Sequence, residues 1–126
     1  MYRIGKLFGF EAAHHLPGLP AGHKCARPHG HSYTVEISLA AEDVLVPPGF
    51  IVDFAELSPL GTYLAKAFDH RYLNETIDVA PTSENLARLL YDWCASNLRL
   101  PAGVQVAAVR VSETASTFAE YTRAGR

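Results

Sequence analysis

The chain has 126 residues, of which 48% are hydrophobic and 19% are charged, and its formal net charge is -2. This length suits one domain, residues 1–126, and the composition excludes an intrinsically disordered chain. Because the basic residues are few and scattered, we expect neither nucleic acid nor a membrane surface as a partner.

No apolar run approaches the roughly 20 residues that a membrane-spanning helix needs. The first residues, MYRIGKLFGFEAAHH, lack the basic-then-apolar order of an export signal, so a cytoplasmic protein is predicted. Cys25 lies in a polar loop and Cys94 in an apolar helical pattern that indicates the core. This pair predicts no disulfide bond.

Two long strands are predicted in the first third of the chain. Even positions of residues 2–12 are mainly apolar, which indicates a strand with one buried face, and His14 continues that parity. A loop rich in Gly and Pro follows at residues 15–27. In residues 31–41, apolar odd positions alternate with polar ones and predict a second strand. The two histidines of HGH, residues 29–31, share its apolar face.

Two helices are predicted in the middle of the chain. Asp53 followed by Glu56 resembles a capping box, and an apolar period of helical type continues to Ala67. Pro59 must lie near a helix start, so an alternative is a short turn followed by a helix that Ser58 caps. Thr82 is the predicted N-cap of the second helix. The apolar stripe of that helix contains Leu86, Leu89, Leu90, Trp93 and Leu98.

Residues 104–111 and 117–121 predict two further strands, which gives the order β-β-α-α-β-β. Four strands and two helices in this order predict an α+β fold, with two helices on one face of a four-stranded antiparallel sheet. The exposed edge of a long first strand is a place where a second copy can pair. We therefore expect a homo-oligomer.

Three histidines of the first two strands are candidate metal ligands. His29 and His31 can point at a common ion, and a hairpin pairing would bring His14 beside them, whereas His15 has the opposite parity and is expected to face solvent. Three histidines alone describe an open, catalytic zinc site, but Cys25 could also complete a structural site as the fourth ligand. The HGH pattern is equally compatible with strand-end histidines that bond to their neighbours.

Four other polar residues could carry chemistry. Asp69 and His70 place an acid beside an imidazole, although a histidine at a helix C-terminus also complements the helix dipole. Glu84 lies in a first helical turn, where an acid is expected on electrostatic grounds alone. Glu113 ends a strand, where a carboxylate is either solvated or placed to accept hydrogen bonds from a ligand.

Six segments, in order from Phe10 to Thr114, together resemble one known family: FEAAHHLP, GHKCARPHGHSYTVE, GFIVDFAEL, FDHRYLNE, PTSENLA and VSET. They are similar to the 6-carboxytetrahydropterin synthase and 6-pyruvoyltetrahydropterin synthase family. The resemblance implies the tunnelling fold (T-fold), whose β-β-α-α-β-β order agrees with the predicted elements. It also implies Zn²⁺ as the cofactor and subunits that join their sheets, commonly as a hexamer made of two trimers, with active sites at subunit boundaries.

Position by position, the resemblance implies roles for the candidate residues. It makes Cys25 a catalytic residue near the metal, which favours a reaction centre over a structural site, and it makes Asp69 and His70 a proton relay that a neighbouring subunit can supply. Glu113 becomes the anchor of the pterin ring. The implied metal ligands are His14, His29 and His31, and the implied lining of the pterin pocket is Thr82, Ser83 and Glu84.

Three residues separate Cys25 from His29, a short spacing that resembles the bacterial carboxy-forming type. The resemblance thus implies a carbon-carbon lyase that converts 7,8-dihydroneopterin triphosphate to 6-carboxy-5,6,7,8-tetrahydropterin, with release of acetaldehyde and triphosphate, in queuosine (7-deazapurine) biosynthesis. The alternatives are a 6-pyruvoyltetrahydropterin synthase, another pterin side-chain lyase, or a zinc-stabilised pterin-binding module without turnover. Candidates for the triphosphate site, by charge and position, are Lys24, Arg27 and Arg71.

Overall fold

The structure is a computed structural model that describes residues 1–43 and 46–123. Its strands are β1 (Tyr2–His14), β2 (His29–Ala41), β3 (Arg71–Tyr72), β4 (Gln105–Thr114) and β5 (Thr117–Tyr121). Its α-helices are α1 (Ser58–Ala67), α2 (Leu73–Thr76) and α3 (Ser83–Asn97), and short 3-10 helices lie at Lys24–Ala26 and Phe54–Leu57.

The sheet has the strand order β3-β1-β2-β4-β5. Neighbouring strands are antiparallel except β3, which pairs in parallel with Ala12 and Ala13 of β1. The predicted α+β fold is confirmed, but the sheet is mixed and has five strands rather than four antiparallel ones. Two residues show no alternation of apolar and polar side chains, so the sequence contains no signal for β3.

The core lies between one face of the sheet and the helices. Its sheet side comes from even positions of β1 and odd positions of β2, the parity that the sequence predicts. The helices contribute fully buried leucines, and each such side chain stabilises the fold by about 1.5–3 kcal/mol. Core residues from β1 and β2 include Phe10, Ala12, Tyr33, Val35, Ile37 and Leu39, and those from α1 and α3 include Leu60, Leu64, Leu86, Leu90 and Cys94.

The starts of the helices confirm one predicted N-cap and contradict another. Asp53 caps the 3-10 helix, where its carboxylate accepts a hydrogen bond from Ala55, and α1 follows directly with Pro59 in its first turn. Ser58 is the first residue of α1, and no side chain caps that helix, so the predicted Ser58 cap is wrong. Thr82 is the N-cap of α3, as predicted, and accepts a hydrogen bond from the Asn85 N–H at 3.1 Å. None of the helices in the described ranges has the length and apolar content that crossing a bilayer requires.

Candidate functional site

The pairing of β1 with β2 brings three imidazoles together. His14 lies opposite His29 and Ala12 lies opposite His31, so all three rings project from one face of the sheet at the end of the hairpin. The ring centroids are 4.6–5.0 Å apart, and each pair of rings is steeply inclined. One nitrogen of each ring lies within 4.8 Å of the others, so the three histidines could hold one metal ion.

Backbone carbonyls orient two of these rings. The Pro81 carbonyl lies 2.8 Å from Nδ1 of His14, and the Arg27 carbonyl lies 2.7 Å from Nδ1 of His29. A carbonyl oxygen only accepts, so both Nδ1 atoms carry the proton and both Nε2 atoms offer a lone pair. These Nε2 atoms are 3.0 Å apart, where two lone pairs repel unless a proton or a cation lies between them.

The environment of the His31 ring also favours a metal ion at the histidine cluster. Nε2 of His31 is buried and has no hydrogen-bond partner among the residues that the structure describes. A buried polar atom without a partner costs about 1–3 kcal/mol, and a bond to a metal ion would offset that cost. Burial also lowers the pKa of His14, although the bond to Pro81 and the charge of Glu113 oppose the shift. The neutral imidazole that results is the form that binds metals.

A carboxylate from the adjacent strand lies beside the three rings. Oε2 of Glu113, on β4, is 3.5 Å from Nε2 of His31, and Oε1 is 3.9 Å from Nε2 of His14. The Glu113 side chain is 23% exposed, so it can still reach a ligand. Glu113 can therefore accept hydrogen bonds from a molecule bound at the histidine cluster.

Cys25 lies in a cavity that adjoins the histidines. The 3-10 helix Lys24–Ala26 holds it, with the Cys25 N–H donating to Nδ1 of His23 and its carbonyl accepting from Leu16. The cavity measures about 480 Å³ and is lined by Lys24, Cys25, Arg27, Pro28, His29 and His31. In the described ranges, the group of metal-ligating atoms contains the three histidines and not the Cys25 sulfur.

Asp69 and His70 form a bonded pair. Oδ2 of Asp69 lies 2.8 Å from Nδ1 of His70, and Oδ1 accepts from the Glu11 N–H at 2.8 Å. The bond from Glu11, followed by that from His70, lowers the pKa of the Asp69 carboxyl, which therefore stays ionised at neutral pH. Adjacent residues seldom bond directly; they do so here where His70 takes a left-handed backbone conformation, with φ of 58°.

The His70 pair and Cys25 occupy separate cavities of one chain. The His70 side chain is 78% exposed and lines a depression of about 580 Å³. The other lining residues of this depression are Glu11, Ala12, Ala13, Gly30, His31, Ser32, Arg71 and Tyr72. Only His31 lines both cavities in the described part of the chain.

The segment before α3 contacts the histidine cluster through its backbone. Pro81 is the contact, because its carbonyl binds His14. Thr82 and Ser83 are half-buried and Glu84 is exposed, and none of the three lines either cavity in the part of the chain that the structure describes. The structure thus places this segment near the site without bringing those three side chains into it.

Sequence reasoning missed several partners of the histidines. The Tyr33 hydroxyl lies 3.1 Å from Nδ1 of His14, and its position on the buried face of β2 was the only signal for it. The prediction that His15 faces solvent is only partly correct. The residue is half-buried, and its ring stacks on Tyr72 and hydrogen-bonds to the Tyr72 hydroxyl. The parity of β1 is correct there, but β3 and α2 cover the edge that parity alone leaves open.

Comparison with known proteins identifies the family of this chain. A family model described as 6-pyruvoyl tetrahydropterin synthase matches residues 3–124. The chain is 35% identical to the 6-carboxy-5,6,7,8-tetrahydropterin synthase of Bacillus subtilis, over 95% of this chain and 84% of that protein. It is 33% identical to the enzyme of the same name from Synechocystis, over 96% of this chain and 93% of that protein.

A solved structure, that of Caenorhabditis elegans 6-pyruvoyl tetrahydropterin synthase, superposes with a TM-score of 0.83 at 25% identity. The match covers 98% of this chain and 96% of that one. The family model and the two relatives each span nearly the whole chain, which includes every residue of the histidine cluster. The chain therefore belongs to the 6-pyruvoyl tetrahydropterin synthase family.

Proposed function

We propose that this protein is a zinc-dependent 6-carboxy-5,6,7,8-tetrahydropterin synthase. It would convert 7,8-dihydroneopterin triphosphate and water to the 6-carboxy product, acetaldehyde and triphosphate, as a step toward queuosine. The observation that carries the proposal is the convergence of three Nε2 atoms, one of them buried without a hydrogen bond, beside a cavity that contains a cysteine. The names of the relatives at 33–35% identity support the carboxy-forming reaction.

Zinc fits the donor set better than magnesium or calcium. Three neutral imidazoles that leave one side open are typical of catalytic zinc sites, whereas magnesium and calcium prefer oxygen ligands. When bound, zinc would supply Lewis-acid polarisation of the hydroxyl oxygens on the substrate side chain. His14, His29 and His31 would hold it, and the Pro81 and Arg27 carbonyls would keep the rings oriented.

Cys25 and the Asp69–His70 pair would move the protons. Cys25 lines the cavity next to His29 and His31, where a thiolate can take a proton from the substrate side chain. The ionised Asp69 fixes the Nδ1–H of His70, so Nε2 of His70 is left to exchange a proton with substrate. The two groups lie in separate cavities, and we propose that a complete site combines Cys25 of one subunit with His70 of another.

Glu113 would anchor the pterin ring. One carboxylate can accept two parallel hydrogen bonds from the 2-amino group and N3–H of a pterin. Its distance of 3.5 Å from His31 would place the ring next to the metal centre. Thr82, Ser83 and Glu84 remain proposed contacts of the same pocket. Lys24 and Arg27, which line the Cys25 cavity, are better placed than Arg71 to bind the triphosphate there.

The main alternative is a 6-pyruvoyltetrahydropterin synthase. The family description and the superposed Caenorhabditis elegans structure favour it. The carboxy-forming assignment is preferred because the relatives at 33–35% identity carry that name and because only three residues separate Cys25 from His29. As part of the proposal, the protein is a cytoplasmic homo-oligomer, and the hexamer is the form that the family resemblance implies. In the described ranges β3 pairs with only Ala12 and Ala13 of β1, so the rest of that edge is open to a second copy.

Product identification tests the assignment. The protein is incubated with 7,8-dihydroneopterin triphosphate, and the products are measured by mass spectrometry before and after chelation and after zinc is restored. We expect the carboxylated pterin and acetaldehyde in equal amounts, loss of both on chelation, and recovery with zinc. A pyruvoyl product without acetaldehyde would select the alternative enzyme.

The Cys25→Ala variant distinguishes the enzyme from a zinc-stabilised binding module without turnover. If Cys25 is catalytic, the variant keeps its zinc and its fold but loses turnover by about 100-fold or more. If the sulfur is instead a structural ligand, the variant loses zinc and unfolds at a lower temperature. Zinc content and thermal unfolding of the same sample decide between the two.

A further inference from the structure

The segment after α1 is fastened to the end of β1 by a continuous series of hydrogen bonds. The Glu11 N–H donates to Asp69, and the Glu11 carbonyl accepts from the His70 N–H at 2.6 Å. The two residues of β3 then pair with the next two residues of β1. The last contact of the series is made by a side chain, that of Asn74.

Asn74 holds the residue after the first metal ligand by two hydrogen bonds. Its Oδ1 accepts from the His15 N–H, and its Nδ2 donates to the His15 carbonyl, both at 2.9 Å. A neighbouring strand would offer the same donor and acceptor from its backbone. Here α2 begins at Leu73, so the backbone leaves the sheet and the amide side chain continues the pairing.

The side chain of His15 is held at the same place. Its Nδ1 hydrogen-bonds to the Tyr72 hydroxyl, and the two rings stack with centroids 5.8 Å apart. Both the backbone and the ring of His15 are therefore fixed by the segment that begins at β3. The preceding residue, His14, is fully buried and has its own ring fixed by Pro81.

We infer that Asn74 is a positioning residue for the metal centre. By fixing the backbone of His15, it fixes the backbone position from which His14 directs Nε2 toward the ion. A ligand nitrogen must lie about 2 Å from zinc, and a site whose support loosens by a fraction of an ångström loses affinity. The inference rests on the metal-binding part of the proposed function and is independent of which pterin reaction follows.

Two substitutions test the inference on the full-length protein. Asn74→Ala removes both bonds, and Asn74→Asp keeps the acceptor but turns a carboxylate oxygen toward the His15 carbonyl. Thr76→Ala is the matched control, because Thr76 is exposed on the same short helix and makes only a 3.4 Å bond to the Tyr72 carbonyl. Zinc affinity is measured by competition with a chromophoric chelator, and the visible spectrum of the Co²⁺-loaded protein reports coordination geometry.

We expect both Asn74 variants to bind zinc about 10-fold more weakly or worse, with an altered Co²⁺ spectrum, and Thr76→Ala to bind like the wild type. Wild-type affinity and spectrum in Asn74→Ala or in Asn74→Asp would overturn the inference, even if the melting temperature fell. An equal loss in Thr76→Ala would also overturn it, because the effect would then belong to α2 as a whole. If Asn74→Ala does not fold, the nearly isosteric Asn74→Asp decides.

The outcome is separable from that of the proposed function. A wild-type protein that binds zinc but releases no carboxylated pterin would end the proposed reaction and leave the role of Asn74 standing. If the wild-type protein turns over normally but an Asn74 variant binds zinc with unchanged affinity, the proposed reaction stands and the role of Asn74 is rejected.

Discussion

The two cysteines of the chain differ in chemistry because they differ in burial. Cys25 is partly exposed in the cavity beside the histidines, whereas Cys94 is fully buried on α3. Burial raises the pKa of the Cys94 thiol to about 12. The thiolate is the nucleophilic form of cysteine. Cys94 is therefore protected from alkylation in two ways, because reagents cannot reach it and because little of it is thiolate at neutral pH.

Alkylation of the native protein should therefore occur at one site. At about pH 8, iodoacetamide is expected to modify Cys25 alone in the folded protein and both cysteines in denaturant. Intact-mass and peptide mass spectrometry give the count and the position, and native Cys25→Ser should remain unmodified. Modification of Cys94 in the folded protein at the rate of Cys25 would contradict the burial argument.

The parity of β1 and β2 was enough to predict that the three imidazoles meet. It could not predict what fixes them, because Pro81 and Arg27 act through backbone carbonyls. Every residue has a carbonyl, and its direction depends on how the chain packs, so no residue type signals it. The family resemblance implied that Asp69 and His70 act as a pair, but the residues alone did not predict their direct bond, since it accompanies an unusual backbone conformation at His70.

Among the elements, α1 approaches β1 unusually closely at one point. A Cβ atom added to Gly61 would lie 2.9 Å from Cε1 and 3.0 Å from Cδ1 of Phe8. Glycine inside a helix costs about 0.5–1 kcal/mol relative to alanine, whereas overpacking of this kind costs about 1–3 kcal/mol. The clash is the larger effect, so glycine is the better residue here despite its helix propensity.

Gly61→Ala should therefore lower the free energy of unfolding by about 1 kcal/mol. In a Phe8→Leu background, which shortens the side chain, the same change should be neutral or stabilising. Denaturant unfolding of the four proteins at one protein concentration gives the coupling between the two positions. Equal effects of Gly61→Ala in both backgrounds would show that Phe8 is not the obstacle.

The strands and α-helices of five or more residues were predicted, whereas β3 and α2 were not. β1, β2, α3, β4 and β5 each repeat their period often enough to be recognised. β3 has two residues and α2 has four, and both are stabilised by contacts with β1 rather than by a pattern of their own. These two short elements carry the contacts to His15, which explains why the sequence did not predict how that residue is held.

For the whole molecule, the proposed function places Cys25 of one subunit and His70 of another in one active site. The two residues line different cavities of the described chain, and an interface between copies would bring them to a common substrate. Each single variant, Cys25→Ala or His70→Ala, would then inactivate every site of its own assembly.

Mixed assemblies should regain activity. When the two inactive variants are unfolded together and refolded at equal concentration, about a quarter of the sites would receive both intact residues if subunits assemble at random. Steady-state turnover of the mixture, compared with each variant refolded alone, measures the recovery. No recovery in an assembly of normal size would show that both residues act within one chain.

The thirteen-residue ladder between β1 and β2 sets the backbone positions of the three histidines by strand pairing, and the connecting loop adds the contact of the Arg27 carbonyl with the His29 ring. A slip of β1 by one residue would turn His14 away from the face that carries His29 and His31, so the meeting of the three rings depends on the register of the fold. Residues 16–26 of the connecting loop, which carry the thiol, lie outside that ladder. Insertions or deletions there can move the sulfur relative to the three imidazoles while their strand pairing stays intact, so descendants of this scaffold can change the position of the thiol without rebuilding the histidine cluster.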